Sequence, residues 1–248
     1  MENSHQLMQG ERIDEIGFGK LCLIQEPQTF CYGIDSVLLA SYAKVKRGSN
    51  VCDLGTGTGI IPLILSHKTE ASTIWGIEVQ ADSYQRAVRN VELNQLSDRL
   101  RILHSDVLDT KHYFKKGSFD VVVSNPPYMG NANGLKNVDE KKKIARHETS
   151  AGLEDFISAA AYLLKDKGDF YLVHRPSRLV DICHLGRNYR LEPKRIRFVC
   201  PSYRKKPNIL LTHFVKYGRP ELKFEEPLFV YEEDGSYTEE ILKIYERK

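Results

Sequence analysis

The chain has 248 residues, 41% of them hydrophobic and 28% charged, with a formal net charge of +3. This is the profile of a soluble globular protein with one large core and room for small additions. It holds no apolar run near the ~20 residues of a membrane span and no basic-then-apolar leader in Met1–Gly17. The five cysteines (Cys22, Cys31, Cys52, Cys183, Cys200) are scattered and form no CxxC pair. Buried free thiols in a cytoplasmic protein are therefore expected, with no zinc or other metal site.

Arg12–Phe30 carries Gly17 and Gly19 between two short apolar runs, which suggests a hairpin or an irregular cover. Ser36–Ala43 reads as a helix that Asp35 or Ser36 can cap. Asn50–Leu54 reads as a strand, followed by a glycine-rich turn and a helix over Ile60–Ser66. Ser72–Ile77 is the next strand and Ala81–Asn94 the next helix, with Ala87 and Val91 on its buried stripe. Strands follow at Leu100–Leu103 and Phe119–Ser124. Asn131–Thr149 is polar and basic, and reads as a loop. A helix over Leu153–Leu164 stops near Gly168. Beyond it come a strand at Asp169–His174, a helix at Arg178–Leu185, and strands at Arg195–Val199 and Ile209–Tyr217.

Strands alternating with helices predict a parallel α/β sheet with helices on both faces. The last two strands have no helix between them, so a hairpin should place one antiparallel strand at the sheet end. One domain over residues 1–220 is expected, its first 49 residues forming an N-terminal cover, with an acidic extension over 221–248, either loose or capping. Charge is uneven: residues 129–219 hold 19 Lys+Arg against 9 Asp+Glu. That segment is either a solvated basic face or a polyanion footprint beside a site.

Gly55, Gly57 and Gly59 stand between a strand and a helix, where glycines let the backbone approach a ligand under a helix N-terminus. Asp53 precedes the turn, and Glu78 ends the next strand, where a carboxylate can accept from both hydroxyls of a ribose. The G-x-G-x-G spacing differs from the dinucleotide G-x-G-x-x-G. An acid before the turn suits the cationic amine of S-adenosylmethionine and not a pyrophosphate. Asp106, at the end of the third strand, can accept from the adenine amine of that cofactor.

The fourth strand runs into Asn125-Pro126-Pro127-Tyr128. Two prolines fix two φ angles and stiffen the corner. A planar amine is a poor nucleophile, because its lone pair is delocalised. The Asn125 side-chain oxygen and the Pro126 carbonyl can hold its N–H groups and turn the lone pair toward a methyl carbon. Tyr128 offers a ring for a flipped base to stack on, or is simply a buried ring of a rigid loop.

These motifs resemble the class I S-adenosylmethionine-dependent methyltransferases of amino nitrogens. Together with Phe30–Ala40 and Arg146-His147-Glu148, they resemble the bacterial valine-tRNA adenine-N6 methyltransferases, over roughly Glu11 to Lys216. The resemblance implies a Rossmann-like, mostly parallel seven-stranded sheet with a C-terminal antiparallel hairpin. It implies S-adenosylmethionine as methyl donor, and as substrate an adenine just 3′ of the anticodon. It also implies that Tyr32, Gly33 and Asp35 lie near the methionine end of the cofactor, with Asn125 also beside it.

Lys141-Lys142-Lys143, Arg146 and His147 are either a solvated loop or RNA contacts. No base is required, and His147 is given no catalytic role. Tyr203-Arg204-Lys205-Lys206 sets an aromatic among cations, which suits a nucleic-acid groove. A monomer acting on tRNA is expected. A protein glutamine-N5 methyltransferase is the first alternative, but its helical N-terminal domain is not legible here. Methylation of ribosomal RNA or DNA, an inactive RNA-binding module and a nicotinamide oxidoreductase fit the motifs less well.

Overall fold

The computed structural model describes residues 7–27, 33–128 and 151–247. Strands β1 (Arg12–Glu15) and β2 (Cys22–Gln25) pair as an antiparallel hairpin outside the main sheet. Helix α1 (Ile34–Tyr42) leads into strand β3 (Asn50–Leu54), helix α2 (Ile60–Lys68), strand β4 (Thr73–Glu78) and helix α3 (Ala81–Leu93). Strand β5 (Leu100–His104), a 3₁₀ turn (Val107–Asp109), the short helix α4 (Thr110–Tyr113) and strand β6 (Phe119–Ser124) follow. After the corner come helix α5 (Leu153–Leu163), strand β7 (Leu164–His174), helix α6 (Leu179–Asn188), and strands β8 (Leu191–Cys200) and β9 (Ile209–Lys216).

Seven of these strands form one sheet in the order β8-β9-β7-β6-β3-β4-β5. All are parallel except β9, which runs antiparallel to both β7 and β8. The hairpin is thus at the sheet end, but its antiparallel member lies one strand in from the edge. In β3, β6 and β7 alternate residues serve opposite faces. Val51, Val121, Val123, Tyr171 and Val173 meet α1 and α2, while Cys52, Leu54, Val122, Phe170 and Leu172 meet α5. Strands covered on both faces are mostly apolar and read as near-continuous runs, and the buried Asp53 inside β3 is the exception. Each fully buried aliphatic side chain contributes ~1.5–3 kcal/mol.

Strand β7 starts at Leu164, not Asp169. Leu164 pairs with Phe119, the register then shifts, and Val121 pairs with Asp169. The bulge absorbs residues 165–168, so Gly168 lies inside the strand and does not end the helix. The hairpin is fastened to α3 by two asparagines one helical turn apart. Asn90 Oδ1 accepts from Ile24 N–H at 2.6 Å, and Asn94 Oδ1 accepts from Cys22 N–H at 2.9 Å. Arg86 and Arg89 both bind Glu11, whose side chain is 1% exposed.

The acidic tail packs on the sheet. Strands β10 (Lys223–Phe224) and β11 (Leu228–Phe229) pair in parallel with β8 and bring the sheet to nine strands. Helix α7 (Glu239–Ile244) is capped by Thr238 and buries Ile241. Glu225 binds Arg195 at 2.8 Å, and Glu240 takes both terminal nitrogens of Arg197 at 2.7 and 2.9 Å. The acids of the tail therefore neutralise the sheet's basic edge. Cys52 and Cys200 are buried, whereas Cys22 and Cys183 are only half-buried, and all four are free thiols. Among the described residues no helix is long and apolar enough to cross a membrane, and no side-chain cluster could hold a metal.

Candidate active site

Strand β3 lies between β4, which follows it in sequence, and β6, which starts the other half of the sheet. A crevice opens at the carboxyl ends of the strands at such a reversal. Asp53, the glycine turn, Glu78, Asp106 and the Asn-Pro-Pro-Tyr corner all stand on its rim.

The turn is hung from β4. The N–H groups of Gly55 and Thr56 both donate to the Ile77 carbonyl, at 3.0 and 2.9 Å. Gly57 N–H donates to Glu78 Oε2 at 2.8 Å, and Asn90 Nδ2 donates to the Thr58 carbonyl at 2.9 Å. All three glycines have positive φ, +73°, +58° and +86° in chain order. At Gly55 a Cβ would come 3.1 Å from the Phe156 ring, so the turn is packed shut beneath α5. At Gly57 a Cβ would meet nothing within 4 Å.

Asp53 is 0% exposed, and neither of its carboxylate oxygens has a hydrogen-bond partner among the described residues. The buried Thr56 hydroxyl beside it is equally unpartnered. An orphaned buried carboxylate is costly unless a ligand cation completes it. Burial pushes the carboxyl up to about 7, against the opposing influence of the nearby Thr56 hydroxyl. Glu78 accepts from Gly57 N–H with one oxygen and from Gln80 N–H with the other, both at 2.8 Å. Burial raises its pKa, and these backbone donors partly offset the rise. Asp106 lies just beyond β5 instead of ending it, and accepts from Leu108 N–H at 3.0 Å as the cap of the 3₁₀ turn. An orphaned carboxylate beside an open glycine cradle, with two further acids on neighbouring strand ends, fits S-adenosylmethionine.

Ser124 Oγ donates to the Leu54 carbonyl at 2.8 Å, which locks the end of β6 to the end of β3. The corner then meets the first turn of α1. Asn125 Nδ2 donates to Ser36 Oγ at 3.0 Å, and the Tyr128 hydroxyl donates to Asp35 Oδ2 at 2.7 Å. Neither Asp35 nor Ser36 caps α1, because both face the corner and Gly33 holds the N-cap position without a side chain. Pro126 is buried and Pro127 exposed. Tyr128 is half-buried, with the His174 ring 4.9 Å away and the Arg175 guanidinium 4.6 Å from its centroid. Burial and the Asp35 charge raise the Tyr128 pKa, so its hydroxyl remains a donor.

Arg204, Lys205 and Lys206 are exposed in the β8–β9 loop. Arg204 approaches Glu233 of the tail at 3.5 Å, and Tyr203, 77% exposed, leans on Phe229. Arg175 Nη1 donates to the Asn208 carbonyl at the end of this loop, which ties it to the corner. Tyr32, Lys141, Lys142, Lys143, Arg146 and His147 lie outside the described residues. The sequence reading missed Ser36, Thr56, Asn90, Ser124, His174 and Arg175. For Ser36 and Ser124 adjacency to a motif residue was an available signal, whereas Asn90 had none.

The fold is that of a class I methyltransferase. Residues 20–181 match the family model described as methyltransferase small domain, and the chain belongs to that family. A Porphyromonas gingivalis protein named tRNA1(Val) (adenine(37)-N6)-methyltransferase is 30% identical over 230 residues, 88% of this chain and 89% of that protein. A Flavobacterium johnsoniae protein of the same name is 32% identical over 180 residues, 72% of this chain and 75% of that one. An Agrobacterium tumefaciens structure described as a predicted O-methyltransferase matches with a TM-score of 0.70 at 23% identity. It covers 86% of this chain and 95% of that one, and speaks to the fold.

Proposed function

We propose that this chain transfers a methyl group from S-adenosylmethionine to the exocyclic N6 amine of a tRNA adenine. By the names of its relatives this is adenine 37 of valine tRNA. One observation carries the reading most directly. At a single strand-order reversal, an orphaned carboxylate and an open glycine turn meet a proline-stiffened corner with amide and carbonyl acceptors.

Bound in the crevice, S-adenosylmethionine supplies an electrophilic methyl carbon on a positively charged sulfur. Asp53 meets the ammonium of its methionine part, bordered by Tyr32, Gly33, Asp35 and Asn125. Glu78 accepts from the ribose hydroxyls with the lone pairs its two backbone bonds leave over. Asp106 accepts from the adenine amine of the cofactor. On the other side, Asn125 Oδ1 and the Pro126 carbonyl take the two N–H groups of the target amine, and Tyr128 stacks its base. The proton leaves after transfer, when the nitrogen has become acidic, so no strong base is needed. An anticodon loop is single-stranded, which lowers the cost of turning one base out. Arg204, Lys205 and Lys206, with Lys141, Lys142, Lys143, Arg146 and His147, bind the RNA backbone.

The reading extends to a monomer that meets its tRNA substrate in the cytoplasm. Labelled S-adenosylmethionine incubated in parallel with tRNA, rRNA, DNA and protein, followed by nucleoside analysis, tests the reading. N6-methyladenosine in valine tRNA is expected, and label in glutamine or only in rRNA would overturn it.

A further inference from the structure

The Tyr128 ring that this reading gives to the target base is covered in the structure. The Arg175 guanidinium lies 4.6 Å from the ring centroid. The backbone beneath it is fixed, since Arg175 N–H donates to His174 Nδ1 at 2.8 Å. His174 is buried, with its pKa lowered to about 4 by burial and by the Arg178 and Arg175 charges, so it accepts that bond as a neutral ring. The guanidinium itself is held lightly. Nη1 donates to the Asn208 carbonyl at 3.0 Å in an exposed bond, and its other N–H groups have no partner among the described residues. The side chain therefore spans from the corner to the loop that carries Arg204, Lys205 and Lys206.

A planar cation and a planar base compete for an aromatic face, because each binds it by stacking on the π cloud. We propose that Arg175 is a placeholder for the target base: it covers Tyr128 in the RNA-free enzyme, yields the ring to the flipped adenine, and turns its released donors to a phosphate of the same strand. The proposal rests on the reading of Tyr128 as the base platform. The ring stays covered before and after exchange. A free nucleoside must expel the guanidinium and offers it nothing in return, whereas a base on its own backbone supplies an acceptor for the fork. Arg175 thereby favours a base within a strand over the same base alone.

The two roles predict opposite signs in one variant. Arg175→Ala should be inhibited by free adenosine severalfold more strongly than the wild type, because the ring face stands open. The same variant should bind an anticodon stem-loop more weakly, with the slope of log K against log salt smaller by about one. Arg175→Lys keeps the charge without the planar fork. It should follow the alanine variant toward adenosine and the wild type in salt slope. In a Tyr128→Ala background, Arg175→Ala should leave adenosine inhibition unchanged. Unaltered adenosine inhibition in Arg175→Ala, or weaker binding of both ligands, overturns the placeholder role and leaves Arg175 a loop anchor. Should the wild type methylate no RNA at all, it is the functional reading that fails. RNA methylation without the opposite signs removes only the role of Arg175.

Discussion

The Tyr128 hydroxyl donates to Asp35 Oδ2 at 2.7 Å across a sequence separation of 93 residues. With Asn125 bound to Ser36, the substrate corner is fastened to the first turn of α1 by two side-chain bonds. The ring and the hydroxyl of Tyr128 then have separable duties. Tyr128→Phe keeps the ring and loses one bond to a carboxylate, so kcat/KM on tRNA should fall by about tenfold or less. Tyr128→Ala also removes base stacking, worth ~1–3 kcal/mol, and should lose a further factor of about 5–150. Equal losses in the two variants would assign the role to the hydroxyl.

Asn125 presents the acceptor that the planar amine needs at the moment of transfer. Asn125→Ala should lower kcat by about a hundred- to a thousandfold, the scale for losing one preorganised polar group aimed at a transition state. Calorimetry should find S-adenosylmethionine binding little changed, because Asp53, Glu78 and the glycine turn remain. Ser36→Ala removes only the tether, worth ~1 kcal/mol, and should be far milder. Near-normal turnover of Asn125→Ala would remove the residue from the chemistry.

Asp53 links cofactor binding to pH. Its carboxyl is pushed from 3.8 up to about 7 by burial, so between these values the folded protein holds a proton that the unfolded chain has lost. Stability of the ligand-free protein should therefore fall as pH rises through that window, and the penalty is complete above pH ~7. A cofactor ammonium favours the charged carboxylate, so affinity for S-adenosylmethionine should climb as pH rises to ~7, below the range in which the ammonium itself loses its proton. Asp53→Asn should raise the melting temperature of the free protein at pH 8, weaken cofactor binding, and erase the rise in affinity below pH ~7. Calorimetry from pH 5.5 to 8.5 measures this, and an unchanged slope in the variant would count against Asp53 as the titrating group.

What could be read in advance follows from how local each signal is. Asn50–Leu54 and Phe119–Ser124 match the observed strands because short apolar stretches, Val51-Cys52 and Val121–Val123, run straight into the glycine turn and the proline corner that end them. The turn glycines and the acids were legible because their spacing lies within single strand–turn–helix units. The early start of β7 depends on a bulge against β6, and two-residue strands such as Lys223–Phe224 exist only through pairing with β8. The anchoring of Cys22 and Ile24 by Asn94 and Asn90 spans about seventy residues and leaves no periodic trace. Asp35 was placed near the corner's crevice by resemblance, but its bond to Tyr128 is a fact of tertiary geometry.

Glu11 should make the N-terminal hairpin acid-sensitive. Its carboxylate binds Arg86 Nε at 3.0 Å and Arg89 at 2.6 Å, and the Arg89 hydrogen bond leads in lowering its pKa from 4.5 to about 2. A lowered carboxylate pKa stabilises the fold above the unfolded value, and that contribution is lost as pH falls from about 4.5 toward 2. Glu11→Ala leaves the partly buried Arg89 without its carboxylate and Arg86 with Glu26 alone, and should cost roughly 3 kcal/mol at pH 7. Denaturant melts at pH 7 and pH 3 should show a smaller difference for the variant than for the wild type. The hairpin holds α3 through Asn90, and Asn90 holds the Thr58 carbonyl, so the variant should also bind cofactor less tightly.

Lys205 and Lys206 separate an RNA footprint from a merely solvated basic face. Both are exposed in the β8–β9 loop, and among the described residues neither forms an ion pair, whereas Arg204 approaches Glu233 at 3.5 Å. Their charge is therefore available to phosphates, and Arg175 ties the loop to the corner through Asn208. Reversing both to glutamate should weaken tRNA binding and reduce the magnitude of the slope of log K against log salt by about two, one for each lost phosphate contact. Cofactor affinity should not move, because the glycine turn lies on other strands. The tail acids bear on the same question from the other side. Glu232, Glu233 and Asp234 form an exposed acidic turn next to the loop, so Glu233→Ala should strengthen RNA binding slightly by freeing Arg204. Filter binding from 50 to 300 mM salt reads both variants, and a double reversal with an unaltered slope would leave the loop outside the footprint.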